Sequence, residues 1–192
     1  MLFALASAPA IAADEPFGYP STLLRARSTY TVSPATPVLL GNTEVVLEQS
    51  RLTDVAAIVQ SAVRTDEDGR RWVCAQTESE DNPLRLWFIA TGQETVTEVQ
   101  MSPGVFETPS KCGKLKAHFE PVFLSRIQSG MSVREIVSDI GPASFHDDEG
   151  WHFWVAHRRY VYDEKNYTEY VWVGAHEVEG SVREVFTTQL TR

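Results

Sequence analysis

Asp147-Asp-Glu-Gly150 and the Trp151-His-Phe-Trp-Val-Ala156 that follows it form the stretch that predicts the fold, because a similar stretch occurs earlier in the chain. There, Asp66-Glu-Asp-Gly69 precedes Arg70-Arg-Trp-Val-Cys-Ala75. In both places an acidic turn that ends in glycine leads into a run rich in aromatic and β-branched residues, which is typical of a strand. Such a self-match predicts an internal repeat.

The similarity continues through three further pairs of segments, which occur in the same order. They are Arg85-Leu-Trp-Phe-Ile-Ala90 with Tyr170-Val-Trp-Val-Gly-Ala175, Thr95-Val-Thr-Glu-Val99 with Ser181-Val-Arg-Glu-Val185, and the helical segments Asp54-Val-Ala-Ala-Ile-Val59 with Ser132-Val-Arg-Glu-Ile-Val137. Ser132 and Glu135 have the pattern of a capping box, and Gly141-Pro142 ends the second helix. Each unit is therefore predicted to be one helix followed by an antiparallel three-stranded meander, so the predicted fold class is α+β, with two tandem units in a layered structure.

The chain divides into five predicted segments. They are a signal peptide over residues 1–13, N-terminal strands over 14–50, a first α-β-β-β unit over 51–101, a linker over 102–122 and a second α-β-β-β unit over 123–192. The signal peptide is predicted from an apolar run and from Ala10-Ile-Ala12, which has the A-x-A pattern of a cleavage site. Its basic n-region is missing, so either the true start lies upstream of Met1 or the segment is a trimmed remnant. The protein is accordingly expected to be periplasmic or secreted.

The cysteine count and the net charge limit the compartment and the classes of partner that we expect. Cys74 and Cys112 are the only two cysteines, and a lone pair in an oxidising compartment is most simply one structural disulfide. The net charge is −9 and no cluster of Lys or Arg occurs, so nucleic acid is not expected as a partner. No segment after the leader resembles a membrane helix, so membrane insertion is not expected either.

Catalytic motifs are absent from the sequence. It contains no Gly-x-Ser-x-Gly, no His-Glu-x-x-His and no Gly-rich phosphate loop, so we expect no enzyme activity and no cofactor. His146 beside Asp147, with His152 nearby, is the one cluster that hints at a metal, but a solvated turn explains it better and no metal site is predicted. Glu98 and Glu184 occupy equivalent positions in the two units, which duplication alone explains. A hydrolase with an unrecognised site remains a third alternative.

Strand alternation sorts the side chains of the second unit onto two faces. One face is mostly aliphatic and suits packing under the helix. The other face carries Trp, Tyr and Arg, which are enriched at protein-binding hot spots, and the first unit adds two tryptophans to it. The predicted partner-binding residues are Trp72, Trp87, Trp154, Arg158, Tyr160, Tyr170 and Trp172. The alternative is that the paired tryptophans cover the core, since aromatic side chains bury large areas in either role.

A family resemblance covers about the last third of the chain. Ile127-Gln-Ser-Gly-Met-Ser-Val-Arg-Glu-Ile-Val-Ser-Asp-Ile-Gly-Pro142, followed by a Trp-bearing strand, resembles the signature of BamE (SmpA/OmlA-like) domains. Two such units in tandem resemble the β-lactamase inhibitory proteins, in which a concave sheet face grips a partner. The first unit lacks the Gly-Met pair, and no lipid-anchor Cys follows the leader, so a role in outer-membrane assembly is not carried over.

The resemblance and the aromatic face together lead to one functional hypothesis. The protein is expected to be an exported protein-binding module, of an inhibitor-like or immunity-like kind, whose partner is another protein. The alternative in a different class is a structural or assembly factor of the cell envelope. Fold resemblance alone does not decide between them, because one fold serves many functions.

Overall fold

The computed structural model describes residues 15–77, 83–104 and 110–192, so the predicted signal peptide over 1–13 lies outside the described residues. Strands dominate the chain, and two α-helices and two short 3-10 helices accompany them in the described part. The elements are β1 Val38–Leu40, β2 Thr43–Val45, α1 Leu52–Val59, β3 Arg64–Thr65, β4 Arg71–Thr77, β5 Leu84–Ala90, β6 Glu98–Pro103, β7 Gly113–Leu115, β8 Val122–Phe123, α2 Val133–Ile140, β9 Phe145–His146, β10 Trp151–Tyr162, β11 Lys165–Val178 and β12 Ser181–Thr191, with 3-10 helices at Ser21–Arg25 and Ala117–Phe119.

One large sheet organises the molecule. Its strands lie in the order β3-β4-β5-β6-β12-β11-β10-β9, all antiparallel to their neighbours, and β7 pairs in parallel with β4. The two meanders β4-β5-β6 and β10-β11-β12 are joined where β6 pairs with β12, with Met101 opposite Val185 and Glu98 opposite Thr188. A smaller sheet of order β2-β1-β8 stands apart from it. The large sheet is therefore continuous across the middle of the chain.

The predicted α+β fold class with balanced helix-and-meander units is wrong. Strands account for 46% of the described residues and helices for only 14%. Each α-helix has eight residues, little more than two turns, whereas β10, β11 and β12 have 12, 14 and 11 residues. The helix α1 buries three residues and α2 buries only Ile136. A helix this short covers little apolar surface, so the long strands supply most of the core and the protein is mainly β.

The large sheet has an apolar core on each face. The helix-side core packs α1 and α2 against alternate strand residues such as Val73, Phe88 and Trp154. The opposite core is aromatic, and residues 16–26, which we call the strap, run across it. Phe17 of the strap packs against the rings of Trp87 and Trp151, with centroids 6.0 and 6.3 Å away. Both faces of the sheet are therefore covered at its centre.

Local sequence accounts for the ends of the elements. Ser132 caps α2, because its hydroxyl accepts from the backbone N–H of Glu135 while the Glu135 carboxylate accepts from the backbone N–H of Ser132. Asp163 and Glu164 form the turn between β10 and β11 with positive φ angles of 47° and 60°, as a tight hairpin turn requires. No helix of the described residues is long and apolar enough to cross a membrane.

The predicted disulfide is confirmed. Cys74 on β4 is bonded to Cys112, with the two Cα atoms 4.8 Å apart. Cys74 is fully buried in the aromatic core under the strap, and Cys112 packs against the same core. The bond therefore fastens the segment after the first meander onto the large sheet.

Candidate functional site

A hairpin arm formed by residues 157–168 extends from the large sheet. In the arm, β10 and β11 pair from His157 with Tyr170 as far as Tyr162 with Lys165. The pairing of β11 with β12 ends at Glu169 with Thr191, and β9 reaches only His152 and Phe153 of β10. The arm therefore runs past the strands on either side of it, because β10 and β11 are longer than their neighbours.

The arm exposes large side chains. Val161 and Tyr162 have 68% and 70% of their surface exposed, and Tyr160 has 37%. The ring of Tyr160 stacks on that of Tyr167 with centroids 5.6 Å apart, and the guanidinium of Arg158 lies 5.3 Å from the centroid of Tyr160. Contacts within the arm therefore hold the side chains of Arg158, Tyr160 and Tyr167 against one another.

An ion pair fixes the base of the arm. Arg158 donates to both carboxylate oxygens of Glu169, with Nη2 3.0 Å from Oε1 and Nε close to Oε2. Glu169 is buried and also accepts from Nε2 of Gln189 at 3.1 Å. The hydrogen bond to Glu169 raises the pKa of Arg158, so this guanidinium stays charged. A two-point pair of this kind restricts the side chain more than a single contact does.

The predicted partner-binding residues do not form one surface. Directly paired residues share a face, and the pairs are Val155 with Trp172 and His157 with Tyr170. Tyr170 and Trp172 therefore lie on the strap side, whereas Trp154, Arg158 and Tyr160 lie on the helix side. The prediction that all five share one face is wrong, because alternation within each strand does not fix the register between strands.

Three of the predicted tryptophans are buried. Trp154 is completely buried and donates from Nε1 to the carbonyl of Gly141 at 2.8 Å. Trp72 and Trp87 lie in the aromatic core under the strap, each almost completely buried. Of the seven predicted residues, these three pack the core, which is the alternative role that the sequence left open. Tyr170 and Trp172 are half-buried, and their rings stack 5.7 Å apart.

A second candidate site is a pocket of about 770 Å³ between the strap and strands β6, β11 and β12. Leu23 and Leu24 of the strap form one wall, and Trp172 and Leu190 lie opposite. Glu98 lines the pocket as well, although only 4% of its surface is exposed. Glu98 is the first residue of β6, and like Gln100 two residues later it points to the strap side of the sheet.

Glu98 is held by neutral donors. The hydroxyl of Tyr19 donates to its Oε2, and Nε2 of Gln100 donates to its Oε1 at 2.6 Å and to the carbonyl of Phe17 at 3.0 Å. Burial raises the pKa of Glu98, and these hydrogen bonds and the charge of Arg70 oppose that rise only in part. Burial and the nearby carboxylate raise the pKa of Tyr19 as well.

Sequence reasoning named Glu98 but missed its environment. The equivalent residue Glu184 contacts the Nδ1 atom of His176 at 3.0 Å instead of a tyrosine. The difference comes from the strap, since Tyr19 is 79 residues from Glu98 in the chain. The sequence does contain a signal for this contact, namely Phe17 and Tyr19 beside Pro16 and Pro20. Two aromatic residues in a polar segment indicate that the segment packs onto a core.

The histidine cluster forms a ring contact. The rings of His146 and His152 stack with centroids 5.9 Å apart, and Nε2 of His152 lies 3.5 Å from Glu177. Burial lowers the pKa of His152, which the charge of Glu177 opposes. In residues 15–77, 83–104 and 110–192, no group of three or more His, Cys, Asp or Glu side chains is arranged to hold a metal ion.

Comparison with known proteins finds no matching family model, no matching curated protein and no matching solved structure. The comparisons thus identify no BamE-like domain, and the resemblance remains a prediction. Function has to be argued from the arm and the pocket themselves.

Proposed function

We propose that the protein is an exported protein-binding module and that the hairpin arm is its contact surface. The observation that supports this proposal is the exposure of Tyr160 and Tyr162 on one face, and of Val161 on the other face, of an arm that extends past the sheet. Large apolar side chains grouped at the surface mark interaction sites more often than single exposed ones do. The Cys74–Cys112 disulfide is compatible with an oxidising compartment, and we take that compartment to be the periplasm or the exterior.

The chemistry of the arm suits a protein partner. Tyr and Arg are enriched at binding hot spots, because each offers a large contact area and a polar group at its end. Arg158 and Tyr160 are already restrained by Glu169 and Tyr167, so binding would cost little side-chain entropy at these positions. Two residues of the predicted site, Arg158 and Tyr160, therefore keep their proposed role on this smaller surface.

The backbone of the arm suggests how the partner binds. The bridge between Tyr30 and Ala156 is the last pairing at the outer edge of β10, and from His157 to Tyr162 that edge pairs with no strand of the described chain. An unpaired edge offers a row of backbone N–H and C=O groups to an added strand. We therefore propose a protein partner that adds an extended segment along this edge. The resemblance to β-lactamase inhibitory proteins favours an inhibitor-like or immunity-like role within this class.

The test places a photo-crosslinking amino acid at position 161 in the full chain and exposes it to periplasmic extract. We expect one protein to be crosslinked at the arm and to bind the wild-type chain when both are purified. Val161→Ser combined with Tyr162→Ser should weaken that binding at least tenfold. Val178→Ser is the matched control, because Val178 is 38% exposed and lies at the end of β11 opposite the arm.

Two results would contradict the proposal. The first is a purified partner that binds the arm variant and the wild-type chain with equal affinity. The second is crosslinking at position 161 that joins only two copies of this chain, which would make the arm a self-association surface. A partner that is an enzyme losing activity on binding would support the inhibitor-like role, and a multiprotein envelope complex would support the envelope alternative instead.

A further inference from the structure

The pocket under the strap is large enough for a small organic ligand. Its volume of about 770 Å³ falls within the range of roughly 300–1,000 Å³ that small-molecule sites occupy. Such sites combine apolar walls with a few polar groups, and this pocket has both. It lies at the junction of the two meanders and reaches the base of the hairpin arm through Gln189 and Arg192, but it includes none of the exposed residues of the arm on which the proposed function rests.

The apolar wall is incompletely covered. Leu24 has 94% of its surface exposed, although it belongs to a 3-10 helix that packs on the sheet through Leu23. Opposite it, Trp172 is only half-buried. A ligand lying between Leu24 and Trp172 would remove apolar surface of both residues from water, which is favourable.

The polar end of the pocket carries a carboxyl group without a cationic partner. Glu98 accepts only from Tyr19 and Gln100, and no basic side chain of the described chain lies within salt-bridge distance of it. Arg70 also lines the pocket, but its Nε atom lies 3.5 Å from Asp66, which offsets its charge. A carboxylate that is buried away from water is stabilised by a cation that forms an ion pair with it.

We propose that this pocket binds an organic amine, with the ammonium group on Glu98 and the apolar body between Leu24 and Trp172. The rings of Tyr19 and Trp172 line the same pocket and can face the cation, because an aromatic face attracts positive charge. The net charge of −9 favours the approach of cations over anions. Arg70 and Arg192 also line the pocket and oppose the binding of an amine, so the competing ligand is an apolar carboxylate.

Isothermal titration calorimetry on the full chain distinguishes these ligands with three probes of one skeleton: phenylbutylamine, phenylbutanol and phenylbutyrate. At neutral pH we expect the amine to bind at least tenfold more tightly than the alcohol, and phenylbutyrate to give no heat of binding. Affinity for the amine should fall on acidification, because protonation of Glu98 removes its charge, while affinity for the alcohol should stay constant. Tighter binding of phenylbutyrate, or no binding of any probe, would overturn the proposal.

Two variants locate the site. Glu98→Gln should weaken amine binding roughly 10-fold to 100-fold, as expected for the loss of a charged hydrogen bond, and should leave the alcohol unaffected. Glu184→Gln is the matched control on the equivalent strand position and should bind both probes as the wild type does. Leu24→Ala changes an exposed side chain, so it will fold, and it should weaken the amine and the alcohol by a similar factor. Unchanged amine affinity in Glu98→Gln or in Leu24→Ala would rule out this pocket as the site.

Discussion

Replacing both cysteines by alanine should lower the free energy of unfolding by about 4 kcal/mol. The disulfide joins positions separated by 38 residues, and closing a loop of this length removes about 13 cal/mol/K of entropy from the unfolded chain on the chain-entropy relation. At room temperature that entropy corresponds to about 4 kcal/mol. Because domains of this kind are stable by only about 5–15 kcal/mol, the double variant should lie close to the limit of stability.

The surroundings of the disulfide make alanine the right replacement. Cys74 is fully buried in the aromatic core, where a serine hydroxyl would lack water and add a desolvation cost of its own. Cys74→Ala combined with Cys112→Ala therefore measures the cross-link with little added polarity. Wild-type protein reduced under the same conditions is the matched control, since it removes the cross-link and keeps both sulfur atoms.

Urea unfolding followed by tryptophan fluorescence measures the effect. The double variant and the reduced wild type should show midpoints lowered by similar amounts, and both should show steeper transitions because the unfolded chain is less compact. A loss of stability below about 1 kcal/mol in both samples would refute the reasoning, because it would mean that the cross-link does not restrict the unfolded chain as its loop length requires. A large loss of stability in the double variant alone would show that the packing of the sulfur atoms, and not the cross-link, stabilises the fold.

The remaining predictions concern a buried acid, a helix cap and a close contact. Glu98→Gln should gain stability relative to wild type as pH rises. Because the pKa of Glu98 is raised in the folded protein, its protonation stabilises the wild-type fold fully below the ordinary carboxyl pKa, and this stability is lost as pH rises through the raised pKa. Urea unfolding at acidic, neutral and alkaline pH measures the effect. A stability difference between Glu98→Gln and the wild type that stays constant with pH would contradict the prediction. Ser132→Ala should cost about 1 kcal/mol by removing the N-cap of α2, seen as a lower thermal midpoint, and Glu135→Gln serves as the milder control. Gly174→Ala should cost about 1–3 kcal/mol, because the added Cβ would overlap the buried ring of Phe186; a midpoint equal to that of the wild type would show that the ring has room to move.

Much of the local structure could be predicted from sequence because its causes are local. The acidic turn before Trp151 and the capping box at Ser132 act over four residues or fewer. The pairing of Cys74 with Cys112 could be predicted from their number and from the expectation of an oxidising compartment. The contribution of the helices was harder to predict. The glycine that ends α2 is visible in the sequence, but how little of the core the two helices cover depends on the strands against which they pack.

The candidate site was less predictable because its parts come from distant segments. Arg158 and Tyr160 were selected by residue type, but their exposure depends on the fact that β10 and β11 extend beyond the neighbouring strands. Trp154 was selected by the same criterion and is buried, because α2 and Gly141 cover it. Residue type indicates what a side chain can bind. Whether a partner can reach that side chain depends on the helices and strands that pack over it.

The sequence by itself determined the repeat of turns and strands, the cap of α2 and the disulfide, all of which arise from neighbouring residues or from the chemistry of two cysteines. The tertiary structure alone decided which strand residues face each other, since register is set across strands by pairings such as Val155 with Trp172. It also brought Tyr19 to Glu98 and so formed a pocket that no local pattern describes. The physical reason is that burial, and with it the pKa of Glu98 and the exposure of Tyr162, depends on segments that meet only when the chain is folded.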